Sequence, residues 1–159
     1  MKSRIDYIRV FPQVLRTLSA FNAPIEASGL EPALLELVKM RASQINRCGP
    51  CLDMHSKDAR AAGETEQRLY LLNAWRETAL YSARERAALA WTEALTCLTD
   101  GFVPDAVYDE VSNHFTEQEL VALTLAVAAI NSWNRFNVAF RLEAGGYQPG
   151  MFEHVQKRA

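Results

Sequence analysis

Apolar residues recur along this chain at helical spacing, and the period-2 alternation of a half-buried strand is nearly absent. Pro12 can open a first helix with Val14, Leu15, Leu18 and Phe21 on one face, which Asn22-Ala23-Pro24 ends. Pro32 suits the first position of a second helix to about Asn46, whose stripe is Leu34, Leu37, Val38, Ala42 and Ile45. The segment Arg47-Cys48-Gly49-Pro50 interrupts the pattern. A third helix starts at Pro50 or Cys51 and stops at Gly63, which suits a C-terminal cap.

A fourth helix covers roughly Thr65 to Thr78. Ser82-Ala83-Arg84-Glu85 has the form of a capping box and opens a helix ending near Asp100-Gly101. Pro104 opens a shorter helix to about His114. Thr116-Glu117-Gln118-Glu119 repeats the box before a long helix to about Glu143, stopped by Gly145-Gly146. Between Leu120 and Ile130 that helix is apolar nearly all round, which predicts a place at the centre of a bundle or in a subunit interface. Tyr147, Met151 and Phe152 in the tail are expected to pack on a neighbour. An internal echo joins Ile45-Asn46 to Ile130-Asn131 and aligns Cys48 with Trp133. It reads either as a duplicated helical hairpin or as chance.

Composition narrows the class. The 159 residues fit one domain, 1–159, and 49% apolar with 23% charged residues is ordinary for a globular chain. A formal net charge of -2 gives no electrostatic argument for nucleic acid or an anionic membrane surface. No apolar stretch follows the N-terminal charges, and the run from Leu120 to Ile130 is too short to span a bilayer. A cytoplasmic protein that binds neither nucleic acid nor membrane is expected. No glycine-rich phosphate loop occurs, so no organic cofactor is expected. The three cysteines do not suit a secreted disulfide scaffold, and a close pair in a cytosolic chain is more often catalytic, redox-active or metal-binding.

That pair is Cys48-Gly49-Pro50-Cys51. A thiolate is the nucleophile of disulfide exchange, and a helix N-terminus lowers a thiol's pKa through unpaired N–H groups and the dipole. Pro50 near the helix start would put Cys48 at or near the N-cap, which favours Cys48 as the thiolate. Cys51 and His55, four residues apart, share a helical face, so the histidine can exchange protons with sulfur near neutral pH. Other readings stand beside this one. The cysteines could be small core residues, or Cys48, Cys51 and His55 could hold zinc in a non-enzymatic oligomer. The tetrapeptide is also that of thioredoxin, but there it follows a strand, and here an amphipathic helix precedes it. Cys97 is expected to be a small buried hydrophobe. His114 and His154 have no neighbour that would make them catalytic.

Glu36, Ser43-Gln44-Ile45-Asn46, the cysteine tetrapeptide, Asp53-Met54-His55-Ser56 and Ala59 together resemble the core of the alkylhydroperoxidase D family, within the carboxymuconolactone decarboxylase superfamily. Trp75-Arg76, Glu85-Arg86-Ala87-Ala88-Leu89-Ala90 and Ile130-Asn131-Ser132-Trp133-Asn134-Arg135 extend the resemblance over residues 5 to 144. It implies an all-α, single-domain bundle of about six to eight helices, assembled as a homotrimer or homohexamer. It also implies a peroxidase that reduces hydroperoxides with the two cysteines and a glutamate–histidine proton relay. Carried over, Glu36 is the relay base, His55 the second relay member, Cys51 the attacking sulfur and Cys48 its resolving partner. The substrate is then a hydroperoxide or a disulfide, and an external dithiol is the reductant. The family's peroxidase has a histidine immediately before the second cysteine, where this chain has Pro50. General disulfide exchange would survive that loss more easily than peroxidase chemistry. The decarboxylase branch lacks the cysteine pair. On a helical wheel Glu36 falls with Lys39 and Ser43, away from Leu34, Val38 and Ile45. Without the resemblance that is a solvated face, unless a subunit covers it.

Overall fold

Two long helices carry the architecture of the computed structural model, which describes residues 2–151. In chain order the helices are α1 (Tyr7–Val10), α2 (Gln13–Ser19), α3 (Asn22–Glu26), α4 (Pro32–Ile45), α5 (Gly49–Ala61), α6 (Glu66–Leu71), α7 (Ala83–Thr96), α8 (Asp105–Ser112) and α9 (Glu117–Phe140). Short 3-10 helices follow α6 at Leu72–Glu77 and α7 at Leu98–Asp100. The described residues form no strand, so the fold is all-α as expected.

Helix α4 packs against α5, α7 and α9, and α9 also packs against α2, α3, α5, α7 and α8. The sequence of α4 explains its central place. Leu34, Leu35 and Val38 enter one core with Ala88, Val111, Leu123 and Val127. Leu37 and Met40 enter a second with Leu69, Leu72, Trp75 and Leu89. Leu37, Leu72, Leu89 and Leu123 are fully buried, and each contributes about 2 kcal/mol by removal from water. The apolar run of α9 finds its cover inside the chain. Leu123, Ala126, Val127 and Ile130 are buried, while Val121 faces out. No helix of the described residues is long and apolar enough to cross a membrane.

The helix starts follow local chemistry. Pro32 opens α4, and the boxes at Ser82/Glu85 and Thr116/Glu119 are both formed. Two expected helix ends need correction. Asn22-Ala23-Pro24 begins α3 instead of ending a helix, because a proline in the first turn forfeits no intrahelical bond. Helix α9 stops at Phe140, ahead of the glycines, where Arg141 turns left-handed at φ 54°. Leu142 N–H then donates to Asn137 O at 3.0 Å and Arg141 N–H to Val138 O at 3.3 Å, which satisfies the last turn. Of the two readings of the echo, chance fits: α9 runs unbroken through Ile130-Asn131-Ser132-Trp133, with no hairpin at the second copy. The two echoed asparagines do meet, since Asn46 Nδ2 donates to Asn131 Oδ1 at 2.9 Å.

The outer motif residues act as staples. Glu93 accepts from Arg41 Nε at 2.7 Å and Trp75 Nε1 at 2.8 Å, and Arg76 closes on its other oxygen. Arg86 donates to the carbonyls of Trp75 and Thr78 at 2.9 and 3.0 Å. Cys97 caps the end of α7 half-buried, not as the core residue expected.

Candidate functional site

The cysteine segment owes its position to the way α4 ends. Arg47 is left-handed at φ 56°. Its N–H donates to Gln44 O at 3.2 Å, and Cys48 N–H donates to Ser43 O at 3.0 Å. That paired cap reverses the chain and leaves Cys48 as the N-cap of α5, with Gly49 and Pro50 as its first two residues. Asparagines pin the junction to α9. Asn134 Nδ2 donates to Ser43 Oγ at 3.0 Å, and Asn46 Nδ2 donates to Asn134 Oδ1 at 2.9 Å. Cys48 and Cys51 are joined in a disulfide and pack on Ala42, Ile130 and Trp133.

Cys51, His55 and Ala59 form the buried stripe of α5, the shared face that the four-residue spacing predicts. His55 Nδ1 lies 2.8 Å from Glu36 Oε2, and Lys39 Nζ lies 2.8 Å from the other oxygen. Burial alone would raise the Glu36 carboxyl. The hydrogen bond and charge of His55, and then of Lys39, outweigh it and bring it to about 2. Glu36 is therefore ionised at neutral pH. A carboxylate on Nδ1 calls for a proton there and leaves Nε2 to exchange protons. The wheel's solvated face is thus a contact face within one chain: the Glu36 side chain is 16% exposed and Ser43 fully buried.

Two residues that sequence reasoning did not single out complete the surroundings of Cys51. Asn137 Nδ2 on α9 donates to Cys51 Sγ at 3.3 Å. Tyr7 on α1 donates its O–H to Asn137 Oδ1 at 2.7 Å. Burial, then the charge of Asp6, raises the Tyr7 phenol to about 12, so it stays a donor. Tyr7 is placed by the N-terminal segment, which binds the end of α9: Arg4 N–H donates to Phe140 O at 2.9 Å and its Nη1 to Ala139 O at 3.0 Å.

A cavity of about 410 Å³ opens on this group. Cys51, His55 and Asn137 line it together with apolar Ile8, Leu15, Ile25, Leu35, Met54 and Trp133. Cys48 lies behind, fully buried. One wall is the segment after α9, which folds onto α5 of its own chain. Gly145 N–H donates to Asp53 Oδ2 at 2.8 Å, Lys57 Nζ to Tyr147 O at 2.8 Å, and Tyr147 O–H to Asp58 Oδ1 at 2.8 Å. Of the tail side chains expected to pack on a neighbour, Tyr147 is hydrogen-bonded within its own chain and Met151 is exposed. Phe152 and His154 lie outside the described residues.

The zinc set offered by the sequence, Cys48, Cys51 and His55, is not assembled here. The cysteines are oxidised, and His55 Nδ1 is taken by Glu36. Among the described residues the donor atoms that converge within 4.8 Å belong to Glu36, His55 and Asp58. Lys39 already offsets the charge of Glu36 there. His114 pairs with Glu110 at 3.2 Å, away from the cavity lining.

Comparison with known proteins agrees with this architecture. Residues 12–94 match the carboxymuconolactone decarboxylase family. The chain is 40% identical over 139 residues to the uncharacterized protein YdfG of Bacillus subtilis (strain 168), covering 87% of this chain and 95% of that one. It is 33% identical to the uncharacterized protein YnjA of Escherichia coli (strain K12), covering 85% of this chain and 75% of that one. An Agrobacterium tumefaciens protein of unknown function, suggested to be the antioxidant defence protein AhpD, superposes with a TM-score of 0.88 at 38% identity. The match covers 92% of this chain and all of that one (100%). An alkylhydroperoxidase AhpD core from Ralstonia eutropha JMP134, an uncharacterized peroxidase-related protein, shares the fold with a TM-score of 0.76 at 18% identity. That match covers 87% of this chain and 74% of that one.

Proposed function

The chain belongs to the carboxymuconolactone decarboxylase family, and from that premise we propose that it is a thiol-dependent oxidoreductase that reduces organic hydroperoxides. One observation carries the reading: Cys51 and a His55 held by an ionised Glu36 open together on an apolar cavity, with Cys48 bonded behind. The helix dipole favours Cys48 at the N-cap, but Cys51 lies in the same first turn, shares a face with His55 and is the cysteine that lines the cavity, which makes it the working thiolate once reduced. The thiolate attacks the terminal peroxide oxygen, the O–O bond breaks, and the departing alkoxide takes a proton from His55 Nε2. Cys51 becomes a sulfenic acid. The Cys48 sulfur attacks it, hydroxide leaves as water with the proton given up by the Cys48 thiol, and the disulfide forms. The sum is one dithiol and one hydroperoxide giving one disulfide, one alcohol and one water. An external dithiol then donates two electrons and two protons to reopen the disulfide.

The apolar lining supports an organic hydroperoxide over hydrogen peroxide, since burial of the organic group adds binding free energy. A second reading, general disulfide exchange, is favoured by Pro50, which offers no proton-carrying group beside Cys51. Thiol titration of the reduced protein separates the two. Cumene hydroperoxide consumes two thiols per chain under the first reading. Under the second it leaves them intact while a small disulfide consumes them. The proposal extends to a homotrimer or homohexamer in the cytoplasm; light scattering that returns the 17.9 kDa monomer contradicts the assembly.

A further inference from the structure

The amide of Asn137 is an unusual guest at its position. It sits late in α9 between Phe136 and Val138 in the chain, nine-tenths buried. A buried amide is costly unless its polar atoms are bonded. Its oxygen accepts from Tyr7, and its nitrogen donates to the Cys51 sulfur at 3.3 Å. A disulfide sulfur is a weak acceptor, so in the oxidised protein that bond returns little. A thiolate is a strong acceptor, and the same N–H···S contact strengthens when the disulfide is reduced. The geometry therefore discriminates between the two redox states of one atom.

We propose that Asn137 is a catalytic hydrogen-bond donor that stabilises the Cys51 thiolate, and that Tyr7 is the positioning residue that aims it. The proposal rests on the reading of Cys51 as the working sulfur. Tyr7 decides which way the amide points. Its hydroxyl donates to Oδ1, which turns Nδ2 toward the sulfur; without that O–H the amide could present either end. Contacts of the Tyr7 ring with Phe136 at 5.3 Å and Phe140 at 5.5 Å hold the hydroxyl there. The donor answers a local need. Cys51 is 2% exposed, and burial raises a thiol's pKa. The residue before it, Pro50, has neither an N–H nor a polar side chain to offset that. The charged and titratable groups facing this region are few. They are Cys48, Asp53, His55 and Asp58 on the α5 side, Glu36 and Lys39 on α4, Glu26 on α3, Tyr7 on α1, and Glu143 and Tyr147 on the segment after α9. They are unchanged across Asn137 variants, so such a series isolates the amide.

The test uses the reduced full chain and needs no peroxide. The rate of Cys51 alkylation by iodoacetamide, read by peptide mass spectrometry against pH, gives the thiol's midpoint. Asn137→Leu, which keeps the volume and loses the donor, should raise the midpoint by about one pH unit. Asn137→Asp should raise it further, because a carboxylate repels the thiolate. Tyr7→Phe keeps the ring contacts and should move the midpoint in the same direction by less. Unchanged profiles in Asn137→Leu and Tyr7→Phe overturn the proposal. If Asn137→Leu fails to fold, Tyr7→Phe alone decides: a raised midpoint supports the role and an unchanged one ends it. Failure of the wild-type protein to consume hydroperoxide would overturn the peroxidase reading, while the alkylation profile would still decide the role of Asn137.

Discussion

Glu36 shows how one buried carboxylate ties stability to chemistry. Its folded pKa, about 2, lies below the ordinary 4.5. The stabilisation it brings is present above the ordinary value and is lost as pH falls through the folded one. Its size is on the order of 3 kcal/mol. Urea unfolding of wild type against Glu36→Gln should therefore show a gap at pH 7 that closes between about pH 5 and pH 2. The same variant leaves His55 without a charged partner, and kcat/KM for hydroperoxide should drop at least roughly tenfold. A wild-type rate would remove Glu36 from the relay. Residues of this kind differ in how far the sequence reveals them. Spacing alone puts Cys51 and His55 on one face. Glu36 enters only by resemblance, because a wheel assigns a polar residue to solvent without knowing that α5 will cover it. Asn137 and Tyr7 leave no local signal: their contacts join residues 86 and 130 positions apart.

Helix ends were legible where a side chain makes the cap and obscure where the backbone does. Ser82 Oγ accepts from Glu85 N–H at 3.2 Å, and Glu85 Oε2 accepts from Ser82 N–H at 2.7 Å. Both partners are written in the sequence. Ser82→Ala should lower stability by about 1 kcal/mol with no effect on thiol chemistry, which chemical denaturation and alkylation rate can check together. The ends of α4 and α9 use left-handed Arg47 and Arg141, where pattern reading expects glycine. Non-glycine residues carry a penalty of about 1 kcal/mol in that region, so nothing local announces the turn. At α4 that turn matters, since it converts the end of one helix into the cysteine-bearing start of the next.

At the scale of the whole molecule, the apolar character of α9 and the position of the dithiol are one fact. A helix packed among α2, α3, α4, α5, α7 and α8 offers its final turns as the floor of the cavity. Ile130 and Trp133 back the disulfide, and Asn137 reaches its sulfur. The sequence made the central burial of α9 readable but not its role as a wall of the site. That role depends on the N-terminal segment folding onto the end of α9 and on the stretch after α9 folding onto α5. The account's central claim is that Cys51 meets the peroxide and Cys48 resolves it. Dimedone trapping after cumene hydroperoxide, in reduced Cys48→Ser and Cys51→Ser, tests it most directly. The account predicts a sulfenic-acid adduct on Cys51 in Cys48→Ser and none on Cys48 in Cys51→Ser. An adduct on Cys48, or no adduct in either variant with their thiols intact, would contradict it.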